Sequence, residues 1–327
     1  MSGARVVSSV HLGPPEIERL RDCELRVVDF AHASRRDLAE ALRNAHGLLI
    51  DSHLTADSAL LELAPHLRAL STISVGLDHI DLAAASQRSI TVTHTPVLSD
   101  AVADLTLALI LMTTRRLGEA VDTVANGVWD DALLGTDLRS KTLLIVGLGR
   151  IGREVARRAL AFKMHVCGYD ARAEVPEITG VERLALLADG LGRADIVSLH
   201  VDLNPTTRHF IDEAALAAMK PTAFLINTSR GGVVDQTALT RALVEHRLAG
   251  AGLDVLEREP PSTGEPLLAM PNVVVLPHIG SATVETRRSM LNCAVDNLAA
   301  CLRGEICEHT VALASPSTSA DNAGGFD

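Results

Sequence analysis

A glycine-rich run, Gly147-Leu-Gly149-Arg150-Ile151-Gly152, directly follows the apolar stretch 143–146 and opens a helix-like segment over 153–162. The glycines have separate tasks in such a strand–turn–helix unit. Gly147 permits the tight turn, Gly149 lets a pyrophosphate approach the backbone, and Gly152 lets helix and strand pack closely. Backbone N–H groups at the helix start then hold the phosphate charge. Asp170 lies 18 residues past Gly152, at the end of the next apolar run. A carboxylate there accepts hydrogen bonds from ribose hydroxyls and repels a 2′-phosphate, so the pattern predicts NAD over NADP. Arg172 is the opposing signal, because a guanidinium can hold that phosphate. Three later segments each place polar residues just past an apolar strand, where open α/β sheets bind ligands. They are Leu225-Ile-Asn-Thr-Ser-Arg230, Ala251-Gly-Leu-Asp254-Val-Leu-Glu257-Arg-Glu259-Pro260 and Val274-Val-Leu-Pro277-His278-Ile-Gly280-Ser281.

The elements that must carry these residues are legible as an alternation. Apolar runs at 5–10, 25–30, 47–50 and 70–75 alternate with helix-like stretches at 15–20, 35–44 and 60–67. That order predicts a parallel sheet covered by helices. A second series has strands at 143–146, 165–169, 196–201, 223–227, 250–255 and 273–276, the order of a doubly wound dinucleotide-binding domain. Between them, 99–117 is apolar on most sides and ends in Arg115-Arg116, as the helix dipole favours. A helix apolar all round is buried between domains or subunits, so this one is the expected link and the expected dimer interface. Residues 285–302 are again helical and return to the first domain. Residues 312–327 are Ser/Ala/Gly-rich and are expected to be a disordered tail.

Composition excludes several classes of partner. At 327 residues the chain is long enough for about two domains. One Trp, one Tyr and five Phe are too few for a base-stacking platform, and a net charge of −11 opposes binding to a phosphate backbone. No nucleic-acid partner is expected. The apolar run 101–112 is too short to span a bilayer and carries Asp104, so no membrane partner is expected either. The N-terminus lacks the apolar core of a secretory leader. The five cysteines match neither a disulfide framework nor a zinc site, which predicts free thiols in the cytoplasm and no bound metal.

The late segments, the GLGRIG turn and Ser74-Val75-Gly76-Leu77-Asp78-His-Ile-Asp81 together resemble the D-isomer-specific 2-hydroxyacid dehydrogenases over about residues 5–311. Asn126-Gly-Val-Trp129, Leu276-Pro-His-Ile-Gly-Ser-Ala-Thr283 and Asn297-Leu-Ala-Ala-Cys-Leu-Arg-Gly-Glu305 are most similar to the glyoxylate/hydroxypyruvate reductase branch. The resemblance implies an α/β chain of two doubly wound parallel-sheet domains, Rossmann-like and flavodoxin-like, with a cleft between them. It implies a split substrate domain at 1–98 and 285–311, an NAD domain at 99–284, and a homodimer. It places the catalytic groups at Arg230, Glu259 and His278. Glu259 is preferred over Glu257 because the family's acid immediately precedes the proline. Cofactor contacts are implied at Gly147, Gly149, Arg150, Ile151, Gly152, Asp170, Val201, Thr228, Arg230, Asp254, His278 and Gly280. Asp254 has a structural cap as its rival role. Substrate contacts are implied at Val75, Gly76, Leu77, Arg230, His278 and Ser281. The expected reaction is hydride transfer between NAD(H) and a small 2-keto acid, glyoxylate or hydroxypyruvate. The alternatives are 2-ketogluconate, phosphoglycerate or a branched-chain keto acid, or an NAD-sensing scaffold like the C-terminal-binding-protein corepressors. Three departures stand out: Asp202 replaces a usual Pro, Asp104 replaces a usual Glu, and 129–137 is short, Asp-rich and free of aromatics after Trp129, where the hydroxypyruvate branch often carries more bulk.

Overall fold

The computed structural model describes residues 3–97, 99–172 and 174–311, so the tail expected at 312–327 lies outside the described residues. The chain divides into two units, 1–97 with 284–327, and 98–283. In the first, the strands are Ala4–Ser8 (β1), Cys23–Val27 (β2), Gly47–Asp51 (β3), Ala69–Ile73 (β4) and Thr91–Thr93 (β5). They form one parallel sheet in the order β2-β1-β3-β4-β5. That is the flavodoxin-like order of doubly wound sheets. β3 and β4 are buried almost throughout because both faces are covered. The helix Val284–Arg303 supplies part of that cover: the Ser71 hydroxyl on β4 donates to Ala294 O at 2.8 Å.

In the second unit the strands are Thr142–Val146 (β6), His165–Tyr169 (β7), Val181–Leu184 (β8), Ile196–Leu199 (β9), Phe224–Asn227 (β10), Gly250–Leu253 (β11) and Val273–Val275 (β12). All pair in parallel, in the order β12-β11-β10-β9-β6-β7-β8. The order reverses at β6, which pairs with β7 on one side and β9 on the other. Such a switch point leaves a crevice at the strand C-termini, where α/β sheets take their ligands. The scarcity of aromatic residues shows in the cores: the largest fully buried side chains are Leu and Ile.

The linking helix differs from its expected form. It runs Ser99–Thr114 and stops at Arg116, whose φ of 52° breaks the α-helical run. A second helix, Leu117–Ala125, follows, anchored by an Arg116–Glu119 ion pair. The first helix finds its cover within its own unit, burying Val102, Leu107, Leu109 and Ile110, and Arg158 of the helix Arg150–Ala161 reaches both Asp100 and Asp104. Its apolar character therefore does not by itself call for a partner subunit. The second helix buries none of its residues.

Candidate active site

The glycine-rich turn follows β6, beside the switch point. Gly147 has φ +99°, and a Cβ there would fall 2.5 Å from His200 O at the end of β9. A Cβ on Gly152 would lie 2.0 Å from Gly147 O. Only glycine fits either place, and the turn closes tightly against the sheet. Gly149 is different: a Cβ there would meet nothing nearer than Arg172 Nη2, at 3.8 Å. The N-terminus of the helix Arg150–Ala161 opens there, and Gly149 offers it no side-chain cap. Open space, free N–H groups and the positive helix end fit a dinucleotide pyrophosphate. Val201 packs against Gly147, and the Thr228 hydroxyl meets that of Thr106 at 2.9 Å.

Asp170 closes this end of the site. Its carboxylate accepts the Leu148 N–H at 2.8 Å, the Arg172 N–H at 2.9 Å, and two guanidinium bonds from Arg172. The Arg172 pair, aided by those N–H groups and opposed by burial, holds the carboxyl down at about 2. The Arg172 side chain is exposed while that of Asp170 is buried, so the guanidinium lies over the acid. His200, near the same turn, is pushed by burial down to about 3 and stays neutral, with Nε2 2.9 Å from the Ser198 hydroxyl.

β10, β11 and β12 are neighbours, and their C-terminal ends deliver the other groups. Past β10, Asn227 shapes the turn: its Oδ1 accepts from the Ser229 N–H and hydroxyl, and its Nδ2 donates to Arg230 O at 2.9 Å. Asn227 is not among the residues singled out by sequence; a polar residue ending an apolar strand is the available signal. A Cβ on Gly231 would overlap the Leu256 carbonyl at 1.9 Å, so the Arg230 turn presses directly on the loop that carries Glu259. Within that loop the two acids separate. Glu257 pairs with His209 Nε2 at 2.6 Å, whereas Glu259 reaches His278 Nδ1 at 2.7 Å. Burial works against the Glu259 charge, but the His278 bond, the Leu256 N–H and the nearby Arg230 outweigh it and hold the carboxyl below its usual range.

His278 has φ 56°, a left-handed conformation that a non-glycine residue adopts at a cost of about 1–3 kcal/mol. Asp254, only 1% exposed, imposes it. Its backbone carbonyl accepts the His278 N–H at 2.9 Å, and its two carboxylate oxygens accept the Ile279 and Gly280 N–H groups, both at 2.8 Å. Charge-assisted bonds contribute about 1.5–3 kcal/mol each, enough to offset the strain. Burial nevertheless pushes the Asp254 carboxyl up. The observed role of Asp254 is thus to hold the His278 loop. With Nδ1 donating to a carboxylate, the ring presents Nε2 outward as its reactive nitrogen. Ser281 follows in the same loop.

Val75, Gly76 and Leu77 belong to the other unit, just past β4. The Ser74 hydroxyl donates to Gly76 O at 2.8 Å, and His94 Nδ1 lies 3.2 Å from Val75 O. These bonds use the loop's carbonyls. Its three N–H groups meet no acceptor among the described residues.

An imidazole with an acid behind it, an arginine beside it and a dinucleotide cradle at the switch point can bind an anionic carbonyl compound and move a proton at its oxygen. Comparison with known proteins agrees. Residues 107–280 match the family model of the D-isomer specific 2-hydroxyacid dehydrogenase NAD binding domain. The chain belongs to the D-isomer-specific 2-hydroxyacid dehydrogenase family. Within that family it is 43% identical over 303 residues to a glyoxylate reductase of Thermofilum pendens, covering 89% of each chain. It is 47% identical over 281 residues to glyoxylate/hydroxypyruvate reductase B of Citrobacter koseri, covering 84% of this chain and 86% of that one. Among solved structures, an NADPH-dependent glyoxylate/hydroxypyruvate reductase from Sinorhizobium meliloti, in complex with NADP and malonate, superposes with a TM-score of 0.84 at 32% identity, covering 96% and 98% of the two chains. These likenesses place this dehydrogenase in the glyoxylate/hydroxypyruvate reductase branch and make its cofactor a pyridine nucleotide. Among the described residues no helix is long and apolar enough to cross a membrane.

Proposed function

We propose that this chain reduces glyoxylate or hydroxypyruvate with NADH as the preferred donor. The observation that carries the reading is the 2.7 Å His278–Glu259 pair, mounted past β12 and β11, with β10, which carries Arg230, next to β11. Gly147, Gly149, Arg150, Ile151, Gly152, Val201 and Thr228 hold the dinucleotide, with Asp170 at its ribose. When bound, the nicotinamide supplies a hydride to the substrate carbonyl carbon. Arg230 grips the substrate carboxylate and carbonyl with forked donors, a geometry that lysine cannot offer. As charge builds on the carbonyl oxygen, His278 Nε2 gives it a proton, and it takes one back in the reverse reaction. Glu259 fixes the tautomer and the orientation of the ring. The N–H groups of Val75, Gly76 and Leu77 are further donors for a carboxylate. None of these groups is aromatic, which suits a compact keto acid.

The cofactor preference rests on Asp170. Held at about 2, it remains anionic at any pH used for assay and repels a 2′-phosphate. Arg172 must swing off it to admit the ribose of NADH, and the same swing gives NADPH a weaker foothold. The test is NADH and NADPH oxidation side by side with a panel of 2-keto acids. Glyoxylate and hydroxypyruvate should turn over fastest, and with NADH. Asp170→Ser should shift the preference toward NADPH by about 10-fold or more, since removing one like-charge clash is worth over about 1.4 kcal/mol. Equal use of both cofactors by the wild type, unaltered in Asp170→Ser, would contradict the assignment.

The chain acts as a homodimer in this reading. Leu117, Val121 and Val124 form one exposed stripe at helical spacing, and Val128, Trp129 at 88% exposure and Leu134 at 80% are exposed in the chain that follows. A second copy would cover this patch. Light scattering should give twice the chain mass at micromolar protein, and Val121→Glu with Val124→Glu should give the monomer. A wild-type monomer would rule the dimer out. Five free thiols fit a reducing, cytoplasmic setting.

A further inference from the structure

Three of the five cysteines fall within 15 residues of the first unit, in elements that hold none of the groups assigned to catalysis. Cys293 and Cys301 sit on the helix Val284–Arg303, and Cys307 follows it. The helix ends at Gly304, which has φ +76°, with Gly304 N bonded to Cys301 O and Glu305 N to Ala300 O. That reversal folds the next residues back over the last turn. It brings Cys307 back beside Asn297, which stands one helical turn before Cys301 on the same helix face. The Cys307 thiol also donates to Asn297 Oδ1 at 3.2 Å, and His309 Nδ1 lies 3.2 Å from the same oxygen and 3.5 Å from Cys293 Sγ.

The three thiols are alike, half-buried, and differ in what they face. Cys307 lines an open groove of about 720 Å³, together with Arg19, Arg303 and His309, whereas Cys293 and Cys301 are not part of its wall. Burial pushes the Cys301 thiol up to about 11 and raises that of Cys293 as well. These two remain protonated near neutral pH, and the thiol that faces the groove is Cys307.

We propose that Cys307 and Cys301 are a peroxide-sensitive dithiol, with Cys307 the attacked thiol and Cys301 the resolving one. The Cys307 sulfur attacks one oxygen of hydrogen peroxide, the O–O bond breaks, and water leaves. Cys307 becomes a sulfenic acid. The Cys301 sulfur then attacks the Cys307 sulfur, the S–OH bond breaks, and the hydroxyl departs as water with the Cys301 proton. Two thiols are oxidised by two electrons, and one peroxide is reduced to two waters.

The experiment uses the full-length reduced protein. It is treated with hydrogen peroxide, alkylated, cut with trypsin and analysed by mass. Trypsin cleaves after Arg303, between the two cysteines, so the bond appears as a crosslinked peptide. The expected result is that crosslink, two hydrogens lighter than its reduced halves, with Cys293 of the same tryptic peptide found alkylated on fragmentation and Cys167 still fully alkylated. Cys301→Ser should accumulate a dimedone-reactive sulfenic acid at Cys307, and Cys307→Ser should leave Cys301 alkylated. A Cys307 that stays as alkylatable as Cys167 under peroxide overturns the proposal. So does a crosslink from Cys307 to Cys293 in place of Cys301.

Discussion

Replacing His278 by Asn lowers kcat for glyoxylate reduction by about 10²–10⁴-fold, the usual contribution of a positioned acid–base group. In barrier terms that is about 3–5 kcal/mol. The affinity for NADH stays near the wild-type value, because the dinucleotide cradle stands on β6, β7 and β9, away from the β12 end that carries the ring. Asn keeps a polar side chain and tolerates left-handed backbone, so the φ of 56° at this position adds no folding penalty. The companion variant, Glu259→Gln, loses only the charge. The Nδ1 contact at 2.7 Å survives as an ordinary hydrogen bond, but the negative charge behind the ring is gone. Glu259→Gln should therefore lower kcat, and by less than His278→Asn does, since the ring and its proton remain in place. Glu259 itself, held below the usual carboxylate range, remains anionic through neutral pH and loses its charge only as the solution becomes acidic. Titration of NADH fluorescence together with the pH profile of kcat checks both variants.

Arg230→Lys is the second large effect. Lysine keeps the positive charge but is a point donor, whereas the guanidinium offers two parallel N–H groups to a carboxylate. Loss of a donor aimed at developing charge costs about 10²–10³-fold in kcat. A comparable loss in kcat/KM is expected here, with KM for the keto acid rising and NADH affinity little changed. The loss should shrink for a hydroxyaldehyde that has the carbonyl and lacks the carboxylate. Steady-state kinetics on the two substrates separates carboxylate recognition from a general collapse of the site. Such a collapse is not expected, since Asn227 shapes this turn through the Arg230 backbone, whatever the side chain.

What could be read from the sequence depended on the kind of signal. The inner strands are readable because doubly covered strands are apolar runs, as at β3, β6 and β9. β8 is not foreseen. It is an edge strand, Val-Glu-Arg-Leu, whose exposed middle residues leave no apolar run to read. β5, only three residues long and rich in Thr, escapes for a similar reason. The break after Thr114 is equally hidden, because Arg116 takes a left-handed conformation with no glycine or proline to announce it. Its consequence is physical: the apolar surface left open is at Leu117–Ala125 and beyond, not on the longer helix before it.

The site follows the same division. The glycine turn and Asp170 are legible from spacing, because a tight turn and a strand-end acid are local features. Which of Glu257 and Glu259 faces His278 depends on how the loop after β11 turns, and spacing cannot state that. The structure sends Glu257 to His209 and Glu259 to His278. The work of Asp254 also needs three dimensions to see, since its two partners, Ile279 and Gly280, lie 25 and 26 residues away on the next strand's loop.

The central claim is that His278, backed by Glu259, protonates the carbonyl oxygen of a small 2-keto acid as hydride reaches its carbon. The most direct measurement mixes a pre-formed NADH complex with excess glyoxylate in a stopped-flow instrument and follows NADH absorbance through the first turnover. The wild-type complex should lose its NADH signal rapidly, while the His278→Asn complex, shown by fluorescence to hold NADH, should keep it. Oxidation at the wild-type rate by His278→Asn, or none by the wild type with glyoxylate or hydroxypyruvate, would contradict the account.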